Sequence, residues 1–216
     1  MENSRIEPAS KRSTVRRLAR RGSYDPAVVH AILDEGLVAH VAFDHQGHPF
    51  VIPMAYVRRG NDLMIHGAVA SRMLQIGAEG LPLSLCVTLL DGLVYAKSAF
   101  HHSVNYRSVV VLGTAREVTD AADKRAFLDG LVDRVAPGRA RLVRAPNDKE
   151  LAATRVLAMP IEEASAKIRT GAPVDDEEDL AWPVWAGVLA VGLRAGPLVE
   201  ADGAHERPAR PLGVGE

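Results

Sequence analysis

Apolar residues Val28, Val29, Ile32 and Leu33 recur on one face of a 3.6-residue period. Asp25-Pro26 ahead of them supplies an N-cap and a proline at the first helical position, and Gly36 a stop. A helix is therefore predicted between Asp25 and Gly36. The pattern then changes to strand character in three segments, Leu37–Phe43, Phe50–Val57 and Asp62–Ala68. The turns between them are Asp44-His45-Gln46-Gly47-His48-Pro49 and Arg58-Arg59-Gly60-Asn61, as in an antiparallel meander. Phe50–Val57 is apolar on both parities, so both of its faces are expected to be covered, in a barrel or at an interface. Ala70–Glu79 reads as a short helix burying Met73, Leu74 and Ile76. Pro82–Leu90 and Leu93–Phe100 read as two strands about a tight Asp91-Gly92 turn. A polar loop from His101 to Arg107 leads into a strand over Ser108–Val118. Asp120–Val135 is an amphipathic helix with Phe127, Leu128, Leu131, Val132 and Val135 inward. Residues 136–150 read as a charged, irregular link, and Arg155–Ile161 and Ser165–Arg169 as the last strands.

Antiparallel strands with few helices point to a mainly β chain with flanking α, built as a small barrel. No strand–helix–strand alternation argues for a parallel nucleotide-binding sheet, and no GxGxxG or GxxxxGK[ST] loop is present. Residues 1–22 form a polar, basic arm with seven Lys or Arg from Arg5 to Arg21. A disordered arm, a strap across a partner subunit or a mitochondrial-type presequence would each carry that composition, and arm or strap is the preferred reading. Residues 23–199 are expected to form the folded domain, and residues 200–216 a disordered tail poor in large apolar groups.

Composition narrows the function. Of 216 residues, 26 are Lys or Arg and 27 Asp or Glu, so the net charge of -1 argues against a nucleic-acid partner. The longest apolar run, near Trp185–Leu193, falls far short of the roughly 20 residues of a membrane span. A soluble, cytoplasmic protein with no membrane partner is expected. Its one cysteine, Cys86, excludes an internal disulfide and a thiolate zinc site, and sits in an apolar strand as an expected core thiol.

Three groups of residues carry candidate chemistry. In Ile65-His66-Gly67-Ala68-Val69-Ala70-Ser71-Arg72 a strand ends, a glycine permits close approach, and a helix opens with a hydroxyl and a guanidinium. That combination suits an anion, although Ser71 as a plain cap and Arg72 as a solvated cation fit equally. Asn105-Tyr106-Arg107-Ser108 offers an amide and a hydroxyl for the edge of a heterocycle, a ring to stack and a guanidinium for phosphate. Lys167 and Arg169 share one strand face, and Trp185 can flank a planar ligand or fill an interface. Adjacent His101 and His102 point to opposite sides of a strand, so no metal site is expected. No nucleophile motif supports hydrolysis.

Taken in order, Val51-Ile52-Pro53-Met54-Ala55-Tyr56, Ile65-His66-Gly67-Ala68, Ser71-Arg72, Asn105-Tyr106-Arg107-Ser108-Val109, Ser165-Ala166-Lys167-Ile168-Arg169-Thr170-Gly171 and Trp185-Ala186-Gly187-Val188 resemble the pyridoxamine 5′-phosphate oxidase-like flavin-nucleotide-binding family, in the branch that includes the 5-nitroimidazole reductases. The resemblance runs from about Tyr24 to Leu193. It implies a split β-barrel of the FMN-binding type, assembled as a homodimer with two interface flavins, FMN or FAD, with the deazaflavin F420 also compatible. By position, Pro53, Met54 and Ala55 would line the isoalloxazine, and His66, Gly67 and Ala68 its border and the ribityl chain. Ser71 and Arg72 would hold phosphate. Asn105, Tyr106, Arg107 and Ser108 would approach from a barrel loop, with Lys167, Arg169 and Trp185 further out. His66 matches the histidine near the flavin of the nitroimidazole reductases and is the candidate catalytic residue. Met73 stands where pyridoxamine phosphate oxidases carry a basic residue, and their arginine-rich C-terminal motif has no counterpart, so vitamin B6 oxidation is not implied. The resemblance implies a flavin-dependent oxidoreductase of a small molecule; its alternative is a flavin-binding carrier without turnover.

Overall fold

A computed structural model describes residues 7–197, 199–201 and 203. Its elements, in chain order, are β1 (Gly22–Ser23), α1 (Pro26–Glu35), β2 (Val38–His45), β3 (His48–Arg59), β4 (Asp62–Ala68), α2 (Arg72–Ala78) and β5 (Pro82–Tyr95). There follow β6 (Ser103–Thr114), β7 (Arg116–Glu117), α3 (Ala121–Val135), α4 (Asp148–Ala153), β8 (Thr154–Pro160), β9 (Glu163–Arg169) and β10 (Gly187–Ala190). The chain is mainly β with flanking helices, as expected. It divides into two compact units, one from residues up to 36, 86–111 and 163–192, the other from 37–85, 112–162 and 193 onward. Most of the expected tail, residues 204–216, lies outside the described residues.

The second unit carries the strand order β2-β3-β4-β8-β7, each adjacent pair antiparallel. The β2–β3 ladder runs from Val38↔Ala55 to His45↔His48, so the expected six-residue turn contracts to Gln46-Gly47. Both take positive φ, 56° and 80°, as a two-residue primed turn requires. Asp44 Oδ1 accepts from Gly47 N at 2.9 Å, and Phe43 and Phe50 stack at 5.4 Å, which holds the strand ends together. Met64, Phe127, Val156 and Ala158 form a buried cluster under α3 with Val57, Val118 and Leu128. Asp120 caps α3 through Asp123 N at 2.9 Å. Val135, expected inward, is exposed because the helix stops there. The link over 136–150 is less irregular than expected: Asn147 and Glu150 close a capping box that starts α4. That N-x-x-E spacing is visible in the sequence.

In the first unit β1, β9, β6 and β5 are successive neighbours, and β10 pairs with β5 from Gly187↔Tyr95 to Ala190↔Gly92. The helix α1 forms as predicted, with Asp25 accepting from Ala27 N at 2.8 Å and Gly36 N closing on Ile32 O. Residues 10–23 lie along β9: Ser10 and Arg12 bond Glu163, and Gly22 pairs with Lys167. Cys86 is half-buried on the face of β5 opposite Leu85 and Val87, rather than in the core.

The largest departure from expectation is β5, one 14-residue strand where two strands and a turn were predicted. Asp91 is anchored by Arg107, and Gly92 serves a close approach: a Cβ there would stand 2.9 Å from Val188 Cγ1 and 3.3 Å from Leu189 O. Gly92→Ala is accordingly expected to destabilise the chain by about 1–3 kcal/mol through overpacking. Adding Val188→Ala should recover much of that in a denaturant titration, whereas an equal loss in the double variant would refute the contact.

Candidate functional site

The expected site residues fall into two groups, one in each unit. In the second unit Pro53, Met54 and Ala55 of β3 pair with His40, Ala39 and Val38. Pro53 and Ala55 are exposed and Met54 half-buried, so this stretch of β3 is open on one face within the chain. At the end of β4, His66, Gly67 and Ala68 pair with Val156, Arg155 and Thr154. Alternation along β4 sends Gly67 and His66 to opposite faces. A Cβ at Gly67 would meet Leu74 Cδ1 at 2.9 Å, so this glycine lets α2 lie close. His66 turns the other way, its ring 5.6 Å from Phe127. Its Nδ1 is buried without a partner, and burial lowers its pKa, so the ring is neutral at neutral pH. A proton on Nδ1 would be a buried unsatisfied donor, costing about 1–3 kcal/mol. The favoured tautomer therefore carries its proton on Nε2, and His66 presents a donor there.

Ser71 begins α2 with no side-chain capping bond, its own N–H donating to Ala68 O at 2.9 Å. The first N–H groups of any helix lack intrahelical acceptors. Arg72 is exposed, lies 5.5 Å over the Phe50 ring, and has no carboxylate partner among the described residues. A hydroxyl, a guanidinium and open backbone donors are therefore carried together at the start of α2. Such a set has the chemistry to hold a dianionic phosphate.

In the first unit β6 begins at Ser103, so Asn105, Tyr106 and Arg107 stand on a strand, not in the expected loop. Buried Asn105 donates to Gly171 O at 3.1 Å and accepts from Arg169. Arg169, also buried, donates further to Gly171 O and Ala172 O, and burial followed by the charge of Arg21 lowers its pKa. These bonds fix the turn after β9. Ser108 Oγ donates to Lys167 O at 3.2 Å. Arg107 is engaged by two carboxylates: it donates to Asp91 at 2.9 and 2.7 Å and to both oxygens of Glu35. Those partners, 16 and 72 residues away, carry no local signal in the sequence. Trp185 is 69% exposed and packs 5.7 Å from Tyr95, whose ring lies 6.2 Å from His102. His102 Nδ1 bonds Ser98 O at 2.9 Å, and His101 Nε2 pairs with Asp176 at 3.1 Å. No group of three metal-ligating side chains occurs among the described residues, and none of their helices is long and apolar enough to cross a membrane.

Three comparisons bear on this arrangement. A family model described as pyridoxamine 5'-phosphate oxidase matches residues 25–168. The flavocytochrome Anf3 of Azotobacter vinelandii is 38% identical, with 97% of each chain covered and a TM-score of 0.88. An FAD and haem binding protein of Mycobacterium smegmatis is 41% identical over 88% of this chain and 94% of its own, with a TM-score of 0.82. A protein of Bacteroides thetaiotaomicron assigned to 5-nitroimidazole antibiotic resistance shares the fold at 19% identity, covering 68% of this chain and 86% of its own, with a TM-score of 0.54. No curated protein matches in a sequence search. The split β-barrel expected from the sequence is the fold these structures share. This chain belongs to the pyridoxamine 5'-phosphate oxidase family, whose members bind FMN or FAD.

Proposed function

We propose that the chain is a flavin-dependent oxidoreductase of a small molecule that holds FAD together with a haem and works as a homodimer. The observation that carries this reading is near-full-length similarity, at 38% and 41% identity, to a flavocytochrome and to an FAD and haem binding protein. The residues fit a flavin nucleotide. Ser71 and Arg72 would take a phosphate, Pro53, Met54 and Ala55 would offer an open strand face to a flat ring, and His66 Nε2–H would be the candidate proton donor. Asn105, Arg107, Ser108 and Arg169 would act by holding backbone and strands in place. When bound, a flavin would exchange electrons singly or in pairs and a haem singly, and the protein's part is to place and tune each group.

A partner copy has a place to dock. Phe50, Val51, Ile52, Leu37 and Val38 of the β2–β3 hairpin region are exposed together, with Val51 at 61%. This is the stretch whose two-sided apolar pattern predicted cover on both faces. Alternation puts Val38 and Val51 on one face of the hairpin and Phe50 and Ile52 on the other, so apolar surface is left open on both faces.

The test is the purified protein. Mass spectrometry of the released chromophore is expected to give FAD, and a pyridine haemochrome assay to give haem. Anaerobic addition of a reduced nicotinamide nucleotide should bleach the flavin, and a small-molecule acceptor should restore it. A colourless monomer that takes up neither group rejects the reading. Bound cofactors without turnover would leave the carrier alternative.

A further inference from the structure

We infer that His102 is the residue that would hold the haem iron, through Nε2, while Ser98 fixes its ring. This rests on the haem part of the proposed function. A neutral imidazole has one N–H and one lone pair, and a backbone carbonyl only accepts. The 2.9 Å contact between His102 Nδ1 and Ser98 O therefore places the proton on Nδ1 and the lone pair on Nε2. Coordination from Nε2 forms one dative bond and displaces no proton. Metal-ligating histidines characteristically donate their second N–H to a carbonyl or carboxylate, which sets tautomer and ring orientation and raises ligand basicity. The carbonyl is itself held: Ser98 N donates to Asp175 at 3.2 Å, and Lys97 N to the same carboxylate at 2.9 Å.

Two other imidazoles with defined surroundings suit iron less well. His101 Nε2 is taken by Asp176. In His66, coordination through Nε2 would force the proton onto the buried, partnerless Nδ1. The unit that carries His102 also exposes Phe100, at 89%, and Trp185, which packs on the Tyr95 ring that lies 6.2 Å from His102. A porphyrin is a flat apolar disc that needs such cover. Lys97 Nζ, donating to Trp182 O at 2.6 Å and Val184 O at 3.3 Å, holds the segment leading to Trp185 in place.

The experiment titrates hemin into the full-length protein, its haem removed and its flavin retained, and follows the Soret band. Loss of outer-shell support already costs about 10–100-fold in metal affinity, so losing the ligand should cost at least as much. His102→Gln, whose amide can still reach Ser98 O, is expected to weaken hemin by that amount, and added imidazole should restore the wild-type Soret position. His66→Gln should leave the band unchanged. Nitrogen-15 shifts of His102 in the haem-free chain should report a proton on Nδ1. Unchanged hemin binding in His102→Gln overturns the assignment and leaves the haem reading standing, and so does loss of the band in His66→Gln. A wild-type chain that takes up no hemin rejects the haem reading itself. Circular dichroism and flavin content of His102→Gln, a change at an exposed site, separate ligand loss from unfolding.

Discussion

Replacing Ser71 and Arg72 together by alanine is expected to release the flavin from a chain that remains folded. The expectation follows from what these side chains lack. Arg72 has no carboxylate partner among the described residues and lies over the Phe50 ring, and Ser71 makes no capping bond within the chain. Neither contributes much to the fold: a cation–π contact at an exposed site stabilises by about 0.5–1 kcal/mol. Both are available to an anion. Hydrogen bonds to a charged group are worth about 1.5–3 kcal/mol each. Since Arg72 is exposed, screening puts the pair near the lower end. About 3 kcal/mol corresponds to roughly a hundredfold in Kd. A flavin fluorescence titration reads this directly, beside a thermal melt of the apoprotein that should move little. Wild-type affinity in the double variant would show that the phosphate lies elsewhere.

Local rules were legible where a single segment decides its own conformation. Asp25-Pro26 and Gly36 bounded α1 because an N-cap, an N1 proline and a stop act within one turn. Asn147 and Glu150 carried an equally local signal for α4, masked by the charged residues around them. The sequence failed where the deciding partner is distant. Asp91-Gly92 has the composition of a hairpin turn, yet β5 runs straight through because Arg107 anchors the aspartate and β10 packs against the glycine. His102 makes the same point at the site. Two adjacent histidines in a polar loop suggest no chemistry until Ser98 O is seen to set one tautomer. By contrast, the hydroxyl–guanidinium pair at Ser71-Arg72 was readable because the helix that presents it begins there.

Arg107 illustrates a residue that resemblance places near the cofactor and the structure engages in ion pairs, and the two roles separate experimentally. Its guanidinium spans Asp91 and Glu35, and the bonds from Asp91 and then Glu35 push its pKa far above the ordinary arginine value. The side chain is 30% exposed, so part of the pairing energy is screened. Removing one partner of a buried ion pair costs 3–5 kcal/mol, and with that discount Arg107→Ala is expected to cost about 2–3 kcal/mol. For a chain of this length that is a fall in Tm of about 5–10 °C. Arg107→Lys should recover only a fraction, since an ammonium cannot fork between two carboxylates. The pH dependence has a definite sign. The Arg107 hydrogen bond holds the Glu35 carboxyl below its usual range, against the opposing effects of burial and of Asp91. A depressed carboxyl contributes stability that is present above its unfolded pKa, about 4.3, and is lost as pH falls through the lower folded value. Acidification from neutral pH to below about 4 should therefore destabilise wild type more than Arg107→Ala, and parallel pH profiles would refute the pair. Flavin affinity measured well below the melting transition should be unaltered in Arg107→Ala. A large loss of flavin at full folding would instead return Arg107 to the cofactor.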